Sequence, residues 1–166
     1  MVGGEKQAFE ACRGLFKALA EGFIYLGPSG SGSKAKLASN LIIGINRLAL
    51  AEGLVFAQTL GLEPRSFLAL LKQTPAYSRA MDVKGEKMIA GDFTPESRIQ
   101  QHSKDLDIIL EYARRHAQPL PLARLHKDIL TAAIEAGDGG LDTCAVIQQI
   151  RRMAEDTAGS EDDDPT

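Results

Sequence analysis

The longest uninterrupted apolar segment of the chain runs from Lys34 to about Leu60 and predicts a single long helix. Apart from Gly44 and Gly53, which a helix tolerates, no residue in this segment breaks helical structure. Its apolar residues occur on nearly all sides, so we expect a central helix with other helices packed around it. Gly61 follows as the expected C-terminal cap.

One amphipathic helix and one short strand are predicted before the central helix. The helix covers residues 5–20, and its apolar side consists of Phe9, Cys12, Leu15, Phe16 and Leu19. Residues 23–26 favour β structure, and this strand has no second strand to join within the chain. Residues 27–33, GPSGSGS, predict a tight glycine-rich turn.

Shorter helices are predicted after the central helix, over approximately residues 64–72, 78–90, 98–117, 122–136 and 143–154. In the fourth of these, the positions expected to face inward are Leu125, Ile129, Ala132 and Ala133. The fold class is therefore mainly α, a helical bundle around one long central helix with a short α-β segment before it. We expect three segments: a first domain piece over residues 1–27, a helical domain over 28–154, and a disordered acidic tail over 155–166.

The composition indicates which classes of partner and which cell compartment are favoured. A net charge of -3 gives no general attraction to nucleic acid or to an anionic membrane. The apolar central segment contains Arg47 and Glu52, which favours a buried helix over a membrane span. Cys12 and Cys144 are far apart in sequence and are expected to be reduced thiols, as in a cytoplasmic protein.

The glycine-rich turn resembles two nucleotide-binding patterns and fails both. A phosphate-binding loop needs a lysine where Ser33 stands, and Lys34 comes one position late. The dinucleotide pattern GxGxxA is met by Gly30, Gly32 and Ala35, but it requires a short helix followed by a second strand. Here the helix continues far beyond that length, so neither interpretation is favoured.

A polar stripe on the central helix is the main candidate for chemistry. Asn40 follows Lys36 by one helical turn and Arg47 continues the same side. Such a stripe either meets solvent or lines a cavity. A partly desolvated lysine at a helix N-terminus has its pKa lowered toward the range useful for proton transfer, and the amide of Asn40 would hold a substrate oxygen. The histidines show no metal-ligand spacing, so we expect no metal.

Residues 27–40, GPSGSGSKAKLASN, resemble the signature Gly-x-Gly-x-x-x-Lys-x-x-x-Asn of the β-hydroxyacid dehydrogenase family. This family includes 3-hydroxyisobutyrate dehydrogenase and the glyoxylate/succinic semialdehyde reductases. A second stretch, residues 91–122, is similar to the family's block with a Phe, then Lys-Asp-Leu, then a helix ending before a Pro-rich turn. Phe93, Lys104 and Asp105 fall on those positions, and Asp142 also fits.

The resemblance implies hydride transfer between NAD or NADP and a small hydroxy acid or semialdehyde. Lys36 would be the general acid/base, the substrate would be bound by Asn40, Gly30, Gly32 and Ser39, and the cofactor region would be shaped by Lys104, Phe93 and Asp105. Residues 1–27 would be the last helix and strand of a Rossmann domain whose other parts bind most of the cofactor. A homodimer or higher homo-oligomer is also implied.

Two positions depart from the family pattern. Ser39 replaces a second Asn, and Ile43 replaces the Glu of the related 6-phosphogluconate dehydrogenases, which argues against a sugar-phosphate substrate. Without the rest of the Rossmann domain, we expect residues 1–166 alone to bind cofactor weakly and to be inactive. The alternative hypothesis is a non-catalytic helical interaction module that kept the fold without turnover.

Overall fold

The computed structural model describes residues 1–161 and divides into two compact units, Met1–Ile42 and Ile43–Thr166. Most of the described residues are helical, which confirms the mainly α prediction. The helices in chain order are α1 (Lys6–Ala11), α2 (Arg13–Leu19), α3 (Ser31–Thr59), α4 (Pro64–Leu71), α5 (Arg79–Ala90), α6 (Ile99–Arg115), α7 (Pro121–Glu135) and α8 (Val146–Glu161).

Residues 1–42 contain one isolated parallel bridge in place of the strand predicted over residues 23–26. Val2 forms an isolated parallel bridge with Tyr25, and its N–H donates to the carbonyl of Ile24 at 2.9 Å. The N–H of Leu26 donates to the Val2 carbonyl at 2.9 Å. The β tendency of residues 23–26 is thus met only at Tyr25, and these residues form no strand. The bridge partner Val2 was not predicted, because a stretch of only a few residues shows no period-2 pattern.

The core of the first unit is a cluster of aromatic rings. Phe9 is buried, and its ring centroid lies 5.6 Å from that of Phe16 and 5.0 Å from that of Tyr25. The predicted helix 5–20 divides at Cys12, whose backbone leaves helical geometry between α1 and α2. The single helical periodicity is thereby broken. Cys12, Leu15 and Leu19 are consequently exposed instead of buried as predicted.

Helix α3 contains 29 residues and begins at Ser31, slightly earlier than predicted. The helix ends with the expected glycine cap: Gly61 has φ +77°, and the N–H of Leu62 donates a hydrogen bond to the Ala57 carbonyl at 2.9 Å. By length and composition alone α3 could cross a membrane, and 44% of its most apolar window is buried within the protein. A buried core helix of a water-soluble protein passes the same test.

The helices of the second unit lie close to their predicted positions. Gly91 ends α5 in the left-handed conformation with φ +70°. Ile129 and Ala133 are buried in α7 as predicted, but Leu125 is exposed because His126 takes the inward position beside it. Helix α8 continues to Glu161, past the predicted helix end and into the segment expected to be a disordered tail. Residues 162–166 of that tail lie outside the described residues.

The core of the second unit is built mainly from aliphatic residues and methionine. Its largest fully buried apolar side chains are Leu54, Leu68, Met88, Ile99, Leu106, Leu130, Val146 and Ile147. Two short 3₁₀ turns, Asp138–Gly140 and Thr143–Ala145, connect α7 to α8. They place Asp142 in the interior, where it is completely buried.

Candidate active site

The two motif glycines at the start of α3 are needed for different reasons. Gly30 has φ +87°, a conformation that favours glycine, and a Cβ there would meet open space. A Cβ on Gly32 would approach the amide nitrogen of Gly3 and the carbonyl oxygen of Met1, each at 3.3 Å. The small size of Gly32 therefore allows the first residues of the chain to pack against the helix. Contact of either glycine with a substrate stays a prediction.

Lys36 lines an open cleft of about 510 Å³ within the first unit. The cleft is bounded by Met1, Val2, Gly3, Phe16, Gly30, Gly32, Ser33 and Lys36. The Lys36 side chain is exposed, so the desolvation that we expected is not provided by the described residues. Lys36 shares this cleft with both motif glycines, and its catalytic role stays a prediction.

The polar residues that follow Lys36 on the helix differ in surroundings. The hydroxyl of Ser39 donates to the Lys36 carbonyl at 3.0 Å, which holds the side chain against its own helix and leaves the oxygen able to accept. Asn40 is half-buried one turn below Lys36. Substrate binding by either residue stays a prediction.

The second predicted block lies in the other unit. Lys104 is exposed on α6, and its neighbour Asp105 is half-buried, as expected for adjacent residues that point apart on a helix. Phe93 is half-buried, and its carbonyl accepts the N–H of Asp142 at 3.0 Å. This bond fixes the loop before α6, and the cofactor role of these three residues stays a prediction.

Asp142 is the centre of a buried ionic network that the sequence did not reveal. The ammonium of Lys84 lies 2.9 Å from one oxygen of its carboxylate, and the N–H groups of Glu96, Ser97 and Cys144 donate to the carboxylate at 2.9, 3.1 and 3.0 Å. Burial alone would raise the pKa of Asp142, but these hydrogen bonds outweigh it and hold the pKa well below its usual range. No sequence pattern marks Lys84, since it looks like any surface lysine of a helix.

A family model described as "NAD-binding of NADP-dependent 3-hydroxyisobutyrate dehydrogenase" matches residues 30–150, well over half of the chain. The chain belongs to the 3-hydroxyisobutyrate dehydrogenase family of β-hydroxyacid dehydrogenases. The resemblance inferred from the two sequence blocks is confirmed.

Relatives named as enzymes and a relative named as a nuclear factor match most of this chain. The 2-hydroxy-3-oxopropionate reductase of Escherichia coli (strain K12) is 33% identical over 93% of this chain and 53% of its own length. The cytokine-like nuclear factor N-PAC of Aedes aegypti is 31% identical over 91% of this chain and 27% of its own length. A 3-hydroxyisobutyrate dehydrogenase from Salmonella typhimurium superposes with a TM-score of 0.82 at 27% identity, over 88% of this chain and 52% of that one. This chain therefore spans about half the length of the dehydrogenase relatives that it matches.

The cofactor of the family is NAD or NADP. A complete dinucleotide site requires a multi-stranded parallel sheet, whereas the described residues contain only two isolated bridges, one of them parallel. The cleft at Lys36, of about 510 Å³, lies within the size range of small-ligand pockets. The described residues thus do not form a complete dinucleotide site, and contact of this chain with the nicotinamide end of the cofactor stays a prediction. No group of three His, Cys, Asp or Glu residues that could hold a metal ion occurs among the side chains that the structure describes, residues 1–156.

Two histidines in the second unit are buried against α3. The rings of His102 and His126 lie 5.2 Å apart, and a Cβ on Gly44 would come within 2.5 Å of His102 Nε2. Burial, together with the positive charge of Arg47, lowers the pKa of His102 to about 3 and that of His126 to about 4. His102 Nε2 and His126 Nδ1 have no hydrogen-bond partner within the described part of the chain. Nothing in the spacing of the histidines along the sequence marks this buried pair.

Proposed function

We propose that this chain is the substrate-binding and acid/base half of an NAD(P)-dependent hydroxyacid oxidoreductase. Membership of the family supports the reaction class. The observation that carries the role of Lys36 is its position on the cleft formed by the motif glycines. The amine is accessible there to a small substrate, and the helix N-terminus beneath it favours a bound anion.

The proposed chemistry of the chain is proton transfer and positioning. When bound, NAD(P) accepts or donates a hydride at C4 of its nicotinamide. Lys36 takes the proton of the substrate hydroxyl during oxidation and returns it to the carbonyl oxygen during reduction. Asn40, one turn further along α3, holds a substrate oxygen by its side-chain amide. We propose Lys104, Phe93 and Asp105 as neighbours of the cofactor.

The proposed substrates are small hydroxy acids and the corresponding semialdehydes or keto acids. The E. coli relative is named as a reductase of 2-hydroxy-3-oxopropionate, a compound of this class. The apolar Ile43 in place of an acidic residue disfavours sugar phosphates, as argued above. We further propose a homodimer in the cytoplasm, for which the exposed apolar residue Phe56 of α3 offers a point of contact.

The test is a turnover assay on the complete gene product that includes this chain. The assay follows the loss of NADPH or NADH absorbance. The substrates are two- to five-carbon semialdehydes and keto acids, and a sugar phosphate is the negative control. We expect saturable reduction of at least one small semialdehyde or keto acid. Residues 1–166 alone should bind either cofactor weakly, so tight stoichiometric binding would contradict the assignment of only one cofactor end to this chain.

A non-catalytic interaction module is the second candidate. It is favoured by one observation, namely that a protein named as a nuclear factor matches 91% of this chain. Under that hypothesis the complete gene product gives no turnover with any member of the panel while remaining folded and oligomeric. Circular dichroism and analytical ultracentrifugation of the same sample separate this outcome from loss of the fold.

A further inference from the structure

Residues 93–97 form a strap that connects α5 to α6 and has almost no apolar anchor. Phe93 is half-buried, and the other four residues of the strap are exposed. A segment with few buried apolar side chains has low local stability, because it can detach without uncovering the hydrophobic core. The strap must therefore be held in place by polar contacts.

The backbone of the strap is bonded to two adjacent residues, Asp142 and Thr143. The N–H groups of Glu96 and Ser97 donate to the buried carboxylate of Asp142 at 2.9 and 3.1 Å. The N–H of Asp142 donates in return to the Phe93 carbonyl at 3.0 Å. The N–H of Thr143 donates to the Ser97 carbonyl at 2.8 Å. Because these bonds end on neighbouring residues, we expect them to form and break together.

The side chain of Glu96 fastens the strap to α5. Its carboxylate lies 2.8 Å from the ammonium of Lys84 and 3.1 Å from that of Lys87. Lys84 also pairs with Asp142 at 2.9 Å, so one ammonium joins the carboxylate of the strap to the buried carboxylate beneath it. The Glu96 side chain is 62% exposed, whereas those of Lys84 and Lys87 are 10% and 17% exposed. Water and dissolved ions therefore reach this contact from the side of the strap.

We propose that residues 93–97 open and close as one unit, and that the ion pairs of Glu96 with Lys84 and Lys87 are the lock that keeps them closed. Opening separates Glu96 from both ammonium groups and leaves the pair of Lys84 with Asp142 in place. Helices α5 and α6 keep their internal hydrogen bonds, so the second unit does not unfold. Because dissolved salt screens exposed ion pairs, the open population rises with ionic strength.

The inference does not depend on the proposed function. The residues that form the strap and its lock belong to the second unit, and none of them lines the cleft at Lys36. The proposed function gives the opening a consequence, since Phe93 moves with the strap. A chain without turnover would still open and close, so the experiment measures the opening itself and not activity.

The test measures amide hydrogen exchange by NMR in the full 166-residue chain. The amide of Leu106, a completely buried residue of α6, reports unfolding of the second unit. After correction for intrinsic rates, the amides of Glu96, Ser97 and Asp142 should share one protection factor. We expect that factor to be at least about tenfold smaller than the protection factor of Leu106.

The variant E96Q removes the charge of the lock and nearly preserves the shape of the side chain. It should speed exchange of the strap amides about threefold or more, as expected for a partly exposed ion-pair network, and leave Leu106 unchanged. The matched control is E86Q. Glu86 is 60% exposed on the same helix as the two lysines and pairs with Arg65, away from the strap, so E86Q should not change exchange of the strap amides.

Ionic strength provides a second measurement of the same lock. Raising sodium chloride from about 0.05 M to about 0.5 M should speed exchange of the strap amides in the unmodified chain. It should add much less in E96Q, where the screened ion pairs are already absent. Leu106 should respond equally in both chains.

The proposal is supported if the strap amides exchange together, faster than Leu106, and respond to E96Q and to salt. It is overturned if they exchange only at the rate of Leu106, if E96Q and E86Q give equal rates for the strap amides, or if salt has no effect on the unmodified chain. Should E96Q also speed exchange of Leu106, K87Q decides, because it leaves the pair of Lys84 with Asp142 intact. Strap amides that are no faster in K87Q would then overturn the lock.

Discussion

The buried imidazole pair makes stability sensitive to mild acid. His102 and His126 are 7% and 1% exposed, and burial keeps both neutral in the folded chain. In the unfolded chain each titrates near its ordinary pKa of 6.5. Between pH 6.5 and about 4 the unfolded state therefore binds more protons than the folded state. Stability is then fully present above pH 6.5 and is lost as the pH falls toward 4.

The size of the effect follows from the two pKa shifts. At pH 5 each unfolded imidazole is about 1.5 pH units below its pKa, which at roughly 1.4 kcal/mol per unit gives about 2 kcal/mol per histidine. The two histidines together should lower the free energy of unfolding by about 4 kcal/mol between pH 8 and pH 5. This is a large part of the roughly 5–15 kcal/mol that stabilises a domain. With an m-value of about 2 kcal/mol/M, the urea midpoint should fall by about 2 M.

Urea denaturation followed by circular dichroism at pH 8, 6.5 and 5 measures this loss. The variants H102Q and H126Q should each reduce the difference between pH 8 and pH 5 by about half, whatever their stability at pH 8. The matched control is H116Q, which removes an exposed histidine and should keep the full difference. If the unmodified chain is equally stable at pH 8 and pH 5, or if H116Q abolishes the loss, the account of the buried pair is refuted.

Two further predictions concern packing and thiol reactivity. Gly44→Ala should destabilise the chain by about 1–3 kcal/mol in urea denaturation, because the new Cβ overlaps His102. Gly53→Ala, where a Cβ meets nothing within 4 Å, should instead be neutral or stabilising by up to about 1 kcal/mol. With Ellman's reagent, exposed Cys12 should react in the native chain, whereas buried Cys144, whose pKa is raised to about 12 mainly by burial, should react only after unfolding. Two fast-reacting native thiols would contradict the burial of Cys144.

The helices could be predicted because their signals are local. Pro64, Gly91 and the Pro-rich turn before α7 mark helix ends through backbone geometry that depends on a few neighbouring residues. The parallel bridge of Val2 could not be predicted, since Val2 lies in a stretch too short to show a strand pattern and its partner Tyr25 lies more than twenty residues away. Within α7 the position of Leu125 was predicted wrongly, because the burial of its neighbour His126 depends on the space left by Gly44 in another helix.

The site shows the same division between local and distant causes. The spacing of Lys36 from the glycines is a linear motif, so it could be recognised from the sequence alone. The network of Lys84 with Asp142 joins residues 58 positions apart, and the sequence identified only the aspartate.

The central claim, that Lys36 transfers the substrate proton, is tested most directly by comparing two neighbouring lysines in the complete gene product. Lys34 and Lys36 are both exposed on the first turns of α3, but only Lys36 lines the cleft. We predict that Lys36→Ala lowers kcat/KM by about 100-fold or more, while Lys34→Ala leaves it within about twofold of the unmodified enzyme, as expected for an exposed residue outside the site. Equal turnover in the two variants, with both folded, would contradict the account.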